Sequence, residues 1–296
     1  MDIGRIGIWT HHLDLAPATQ ASELVGELDE LGYGAVWVPE AVGREAFTNA
    51  ALLLRGGTDI VVATGIASIW ARDAMSAANA QKTVTEAYPD RFLLGLGVSH
   101  EVMVAGIRGH DYTKPFSAMR DYLQAMDDAM FFAAPPTTEP QRVLAALRPK
   151  MLGLARDHAQ GAHPYFVPPE HTAVAREVLG EGPLLAVEQA VVLETDPAKA
   201  RELARTHTKT YVGLPNYVNN LRELVPSLTE DDFAHAGSDR LVDTIVAWGT
   251  VDAAVERIQA HLDAGADHVC IQVVQDGAPA PVEAWRDLAS AFSLGG

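Results

Sequence analysis

The chain has a single cysteine, Cys270, so no disulfide can form within it. Cys270 sits in the apolar run Val269-Cys-Ile-Gln-Val-Val274, where a lone thiol reads as buried packing. Positive charge is scarce. Lys and Arg number 22 against 39 Asp and Glu, a formal net charge of −17. That balance argues against nucleic acid as a partner and against an acidic membrane surface. No apolar run approaches the roughly 18 residues that span a bilayer. The N-terminal Met-Asp-Ile-Gly-Arg lacks a charged-then-apolar signal pattern, so a cytoplasmic location is expected. Other chemical signatures are missing as well: no G-x-G-x-x-G, no G-x-x-x-x-G-K-[ST] and no G-x-S-x-G. Eleven histidines are present, but none stands in a compact ligand spacing such as H-E-x-x-H, so no metal site is expected. An anionic cofactor would need local basic groups or helix N-termini, because the global field repels it.

What is present is a rhythm. Leu28-Asp-Glu-Leu-Gly-Tyr-Gly-Ala-Val-Trp-Val38 reads as a helix end, a glycine and a strand. The plan recurs at His158–Val167 and at Leu262–Gln272. Glycine there suits the left-handed residue that ends a helix. Eight apolar runs read as strands: Ile3–Trp9, Ala35–Glu40, Ile60–Ser68, Phe92–Ser99, Arg142–Leu147, Ala162–Val167, Leu184–Leu193 and Val269–Val274. Their apolarity is continuous rather than alternating, as in parallel strands covered on both faces. The segments between them are amphipathic helices. Met119, Tyr122, Leu123, Met126 and Met130 form one apolar stripe, and Val251, Val255, Ile258 and Leu262 another. Eight strand–helix units predict a (β/α)8 barrel, an α/β fold. The prolines of Ala133–Pro140 make that stretch a loop. Residues 214–243 read as an insertion between strands seven and eight, a lid or an oligomer contact. No linker rich in Gly, Pro or Ser divides the chain, so residues 1–296 are expected to form one domain.

In such barrels ligands meet the carboxyl ends of the strands. Strand three ends Ala63-Thr-Gly-Ile-Ala-Ser68, and strand four ends Gly95-Leu-Gly-Val-Ser-His100. Both have shed side-chain bulk there. Together with Tyr88-Pro-Asp-Arg-Phe-Leu-Leu-Gly-Leu-Gly-Val98, these segments resemble the luciferase-like monooxygenase superfamily of flavin and deazaflavin enzymes. Within it they are most similar to the actinobacterial branch presumed to use coenzyme F420. The likeness runs over almost the whole chain. It implies an F420-dependent oxidoreductase acting on a small molecule, and a homodimer. FMN is the alternative cofactor, in a luciferase-like monooxygenase, and a barrel without catalysis is a further alternative.

The resemblance also implies site residues. A cis peptide at Gly65–Ile66 would form a bulge behind the cofactor ring, flanked by Val98 and Ser99. The backbone at Leu147, Arg148 and Pro149 would meet the cofactor phosphate, with His163 and Pro164 beside it. Independently, Pro149 at a helix start beside Arg148 and Lys150 makes an anion site. Sugar-phosphate dehydrogenases similar to this chain carry an acid followed by a histidine at the end of strand two. Here those positions are Glu40 and Ala41, which makes that reaction improbable. Glu40 is then a proton-transfer group, a cofactor contact, or simply a helix cap or ion-pair partner. His100, where those enzymes carry an acid, is either a proton donor or a solvent-facing helix start. Trp9 and His11, at the end of strand one, are placed to touch substrate.

Overall fold

Ten short strands build the sheet of the computed structural model, which describes residues 1–295. They are β1 (Ile6–Trp9), β2 (Ala35–Val38), β3 (Val61–Thr64), β4 (Ala67–Ser68), β5 (Phe92–Gly97), β6 (Gln141–Leu144), β7 (Gly161–Ala162), β8 (Leu184–Val192), β9 (Ala247–Trp248) and β10 (His268–Val273). All pairings are parallel. β10 pairs with both β8 and β1, which closes the ring. β4 continues the third strand, so eight strand positions form the closed barrel. β9 is extra: it pairs with Val191 and Val192 at the end of β8.

Eight helices form the outer ring: α2 (Ala18–Glu30), α3 (Ala46–Leu53), α4 (Ala74–Ala87), α5 (Pro115–Asp127), α6 (Pro149–His158), α7 (Pro169–Leu179), α11 (Val251–Asp263) and α12 (Val282–Ala291). Local chemistry starts several of them. Asp73 accepts from Ser76 N at 2.9 Å to cap α4, and Thr250 accepts from Ala253 N at 3.3 Å to cap α11. The main core lies between ring and barrel, with Leu28, Leu53, Phe92, Leu94, Leu123 and Trp285 fully buried. Each such side chain contributes about 1.5–3 kcal/mol by leaving water. A second cluster fills the barrel itself, with Trp9, Trp37, Leu93, Val143 and Cys270.

Three expectations are corrected here. Strand six shrinks to two residues, because Pro164 has no N–H to donate and Phe166 turns to φ +59°. Gly161 lies within it and caps no helix; a Cβ there would come within 1.9 Å of Leu184 O, so close strand approach explains it. Gly32 and Gly265 do cap helices, at φ +85° and +104°. Met130 lies beyond α5 and is exposed, unlike Met119, Leu123 and Met126.

The insertion is larger than residues 214–243. Besides short α1 (His12–Leu15), the helices outside the ring are α8 (Pro197–Tyr211), α9 (Pro215–Leu224) and α10 (Asp239–Ile245). Asp196 starts α8 by accepting from Ala198 N and Lys199 N, both at 3.0 Å. Together with β9 these helices occupy residues 197–248 before the ring resumes at α11. They share a third apolar cluster with the barrel mouth, in which Phe166, Ala190 and Val192 meet Ala204, Tyr217, Leu221 and Leu241.

Candidate active site

The Gly65–Ile66 peptide is cis and separates β3 from β4. Three groups hold its surroundings. The Trp9 indole donates to Gly65 O at 3.1 Å. Gly65 N donates to Val38 O at 2.7 Å. Glu40 accepts from Ser68 N at 2.8 Å, just past the bulge. The glycines of β5 explain themselves here. A Cβ on Gly97 would lie 2.7 Å from Ile66 Cγ2, and one on Gly95 would lie 2.7 Å from Ile66 Cδ1 and 2.1 Å from Thr64 O. Their missing side chains leave the space that Ile66 fills.

Glu40 is buried and fully engaged. Besides Ser68 N it accepts from Ala46 N at 3.2 Å and forms an ion pair with Arg72. Arg72 also pairs with Glu45 at 2.9 Å and lies over the Phe47 ring. Of the roles open to Glu40, the structure shows the ion-pair one: its carboxylate pairs with Arg72 and ties β2 to the bulge.

Past β5 the chain turns sharply. Ser99 adopts φ +55°, Val98 O accepts from the Trp70 indole at 2.8 Å, and Ser99 O accepts from the Tyr112 hydroxyl at 3.2 Å. His100 follows, ahead of a π-helical turn at Val102–Ile107. Its ring lies 5.5 Å from that of Tyr217, and Asn216 is its side-chain partner. Burial lowers its pKa, against the opposing effect of that hydrogen bond.

At α6 the cap residue Arg148 supplies no acceptor, and the first turn has no acidic residue. The N-terminus stays open to an anion. Arg148 pairs with Glu223 of α9 at 2.5 Å, both exposed, and Leu147 O accepts from His171 Nε2 at 2.6 Å. His163 does not join this group. It is buried in the barrel, stacked on Trp37 at 4.3 Å, with Nδ1 donating to Ala186 O at 2.9 Å. Burial pushes it down to about 3. Pro164 stays at the strand end, its carbonyl accepting from Glu188 N at 3.1 Å.

Aromatic side chains of the insertion cover the mouth. Tyr211 packs against Phe166, Tyr165, His207 and Tyr217, with ring centres 4.8–5.2 Å apart. Trp9 lies 5.3 Å from Tyr165, and His11 stacks on His12 at 4.4 Å. Trp9 and His100 thus each lie against a tyrosine of the mouth, Tyr165 and Tyr217, and the structure adds residues the sequence reading passed over: Glu188, His207 and Gln272. Glu188 carried a signal. It is the one acidic residue inside Leu184–Leu193.

A barrel with a bulged third strand and an open helix N-terminus after the fifth defines a class of protein. Residues 4–268 match the luciferase-like monooxygenase family model, and the chain belongs to that family. A protein of Mycobacterium tuberculosis (strain ATCC 25618 / H37Rv), provisionally named a coenzyme F420-dependent oxidoreductase, is 25% identical over 97% of this chain and 98% of its own. An F420-dependent secondary alcohol dehydrogenase solved with an F420–acetone adduct superposes with a TM-score of 0.77 at 15% identity, covering 100% of both chains. The coenzyme F420-dependent tetrahydromethanopterin reductase of Methanopyrus kandleri gives 0.75 at 16%, over 98% of both. The FMN-bound oxygenating constituent of 3,6-diketocamphane monooxygenase from Pseudomonas putida gives 0.66 at 14%, over 97% of this chain and 96% of its own. At these identities the solved structures share the fold. No helix among the described residues is long and apolar enough to cross a membrane.

Proposed function

We propose that this protein is an F420-dependent oxidoreductase that moves a hydride between the deazaflavin and a small organic substrate. The observation that carries the reading is the end-to-end similarity to a relative named for F420. The site fits such a cofactor. An uncapped helix N-terminus beside Arg148 and Lys150 suits its phosphate. The wall made by Gly65, Ile66, Val98 and Ser99 suits a flat ring. When bound, F420 supplies the hydride; the protein supplies binding, orientation and a proton. Trp9 and Glu40 hold the ring wall in place. Leu147, Arg148 and Pro149 hold the phosphate end, with Glu223 as the group an arriving phosphate displaces from Arg148. Trp9, His11 and His100 face the substrate under α8 and α9. The reading includes one domain, a cytoplasmic setting and a homodimer.

The second reading is an FMN-dependent monooxygenase, favoured by the family to which the chain belongs. Titration of the purified protein with F420 and separately with FMN, followed by ligand fluorescence, decides between them. Tight F420 binding with weak FMN binding is expected. Arg148→Ala should weaken F420 at least tenfold, the value of one charged hydrogen bond of about 1.5–3 kcal/mol. Preference for FMN overturns the first reading, and binding of neither makes this a non-catalytic barrel.

A further inference from the structure

Glu188 stands alone in the barrel. It lies on β8 between Ala186 and Ala190, opposite Cys270 of β10, and is 1% exposed. Its Oε2 accepts from Phe166 N at 3.1 Å. Its Oε1 is buried with no partner. The titratable groups whose charge it affects are Tyr165 after β7, Tyr211 of α8, Tyr217 of α9 and Cys270, and none of them hydrogen-bonds to it. Among the described residues no Arg, Lys or His lies in ion-pair reach. A buried carboxylate with one hydrogen bond and no cation is too costly to keep. The neutral acid avoids that cost, and its O–H belongs on the free Oε1.

The tyrosine hydroxyls of the mouth form a chain with a direction. Gln272 Oε1 only accepts, so Tyr165 donates to it at 2.7 Å. Tyr211 therefore donates to Tyr165, also at 2.7 Å. The Tyr211 oxygen keeps lone pairs free to accept. Tyr165 and Tyr211 are partly exposed at the mouth, whereas Glu188 is not. Other candidates for the proton are poorer. Glu40 is saturated by Arg72 and two amides. His100 is shifted toward its neutral form.

We infer that Glu188 is the proton store of the mouth, and that its proton reaches a substrate carbonyl oxygen through a bridging water and then the Tyr211 and Tyr165 hydroxyls. The inference rests on the oxidoreductase reading above. In the reducing direction the carbonyl carbon gains a C–H bond and the two electrons of the hydride. The C–O π pair becomes a lone pair that takes the proton of a tyrosine hydroxyl. Glu188 restores that hydroxyl and is left as a carboxylate, which water reprotonates. The deazaflavin is oxidised and the carbonyl reduced to an alcohol. Burial raises Glu188 to about 8, consistent with a proton held at neutral pH.

Infrared spectroscopy of the full chain without cofactor tests the store directly. The spectrum at pH 7 should contain the C=O stretch of a protonated carboxyl that shifts in D2O. It should fade as pH rises through about 8 and be missing from Glu188→Gln. With F420 and a carbonyl substrate, Glu188→Gln should lower turnover about 100-fold, as expected for loss of a general acid. Its Kd for F420 should be unchanged, and the alkaline limb of its pH profile should disappear. If Glu188→Gln does not fold, Tyr211→Phe carries the test: the band stays while turnover falls. A wild-type protein with no such band, or a Glu188→Gln or Tyr211→Phe enzyme with wild-type turnover and pH profile, overturns the inference. Failure to bind F420 would refute the cofactor reading instead, and the band would still decide whether Glu188 holds a proton.

Discussion

Mild acid should unfold this protein steeply, because four histidines are buried in neutral form. Burial holds His163, His207 and His261 down to about 3 and His268 to about 4. Hydrogen bonds fix two of the rings. His268 donates from Nδ1 to Gly4 O at 2.8 Å and accepts at Nε2 from the Trp37 indole at 3.1 Å. His261 donates from Nε2 to Gln189 Oε1 at 2.9 Å and accepts at Nδ1 from the Thr172 hydroxyl at 2.7 Å. A second proton on either ring would expel a donor. In the unfolded chain each ring titrates near 6.5. Between about pH 6 and 4 the unfolded state therefore binds about four more protons than the folded one, and stability falls as pH falls. At about 1.36 kcal/mol per proton and pH unit, the loss is roughly 5 kcal/mol per unit. Glu188 opposes it. Its folded pKa of about 8 lies above the unfolded value, so it returns about 1.4 kcal/mol per unit down to about pH 4.5. The net loss is roughly 4 kcal/mol per unit. A domain worth about 10 kcal/mol would then unfold near pH 4. Urea titrations at each pH from 7 to 4.5, followed by near-UV circular dichroism, measure the slope. A stability that stays flat between pH 6 and 5 would refute the reasoning. His261→Gln should be less stable throughout, yet lose about one proton from the slope.

Two further outcomes test the bulge and its support. Gly95→Ala should lower stability by about 1–3 kcal/mol, because its Cβ would sit 2.1 Å from backbone oxygen of Thr64. Gly97→Ala should cost less, since its nearest neighbours are side-chain atoms of Ile66 and Ala145 at 2.7 and 3.2 Å; thermal unfolding of the pair in the reverse order would contradict this packing. Glu40→Gln leaves Arg72 with Glu45 alone, so a loss of about 3 kcal/mol is expected. Cofactor affinity should fall with it while the pH profile of turnover keeps its shape. A profile that loses a limb would return the proton-transfer role to Glu40.

The barrel was legible because continuous apolar runs and helix-ending glycines are local signals. Gly32 and Gly265 show it: each sits at positive φ, three residues before a strand begins. The extent of the insertion was not legible. Pro197–Tyr211 is an amphipathic helix in the place where a ring helix is due. Its sequence does not say whether its apolar face meets the barrel wall or the mouth. Contact with Phe166 and Ala190 decides that, and those contacts are long-range. The place of the His163 ring was hidden for a related reason. In a strand read as Ala162–Val167 it leads to the rim, but the strand ends at Ala162 and the ring stays inside, where Trp37 takes its face.

The two glutamates show how environment, rather than residue type, assigns a role. Both sit on barrel strands or their ends, and both are buried. Glu40 meets Arg72 and two amide donors, so both its oxygens are already partnered. Glu188 meets one amide and otherwise hydroxyls, a thiol and rings, so the neutral form is the cheap one. The sequences around them give the opposite impression. Glu40 stands at a strand end with Pro39 before it and Ala41 after, where an active acid is sought. Glu188 stands in mid-strand between Val187 and Gln189, where a charge looks misplaced. In a closed barrel every strand reaches the same mouth, so a carboxyl can serve it from strand seven as well as from strand two. The absence of histidine at Ala41 then removes a partner from a position whose acid is already committed to structure. On the inference above, the mouth's proton chemistry rests with Glu188, which no cation holds.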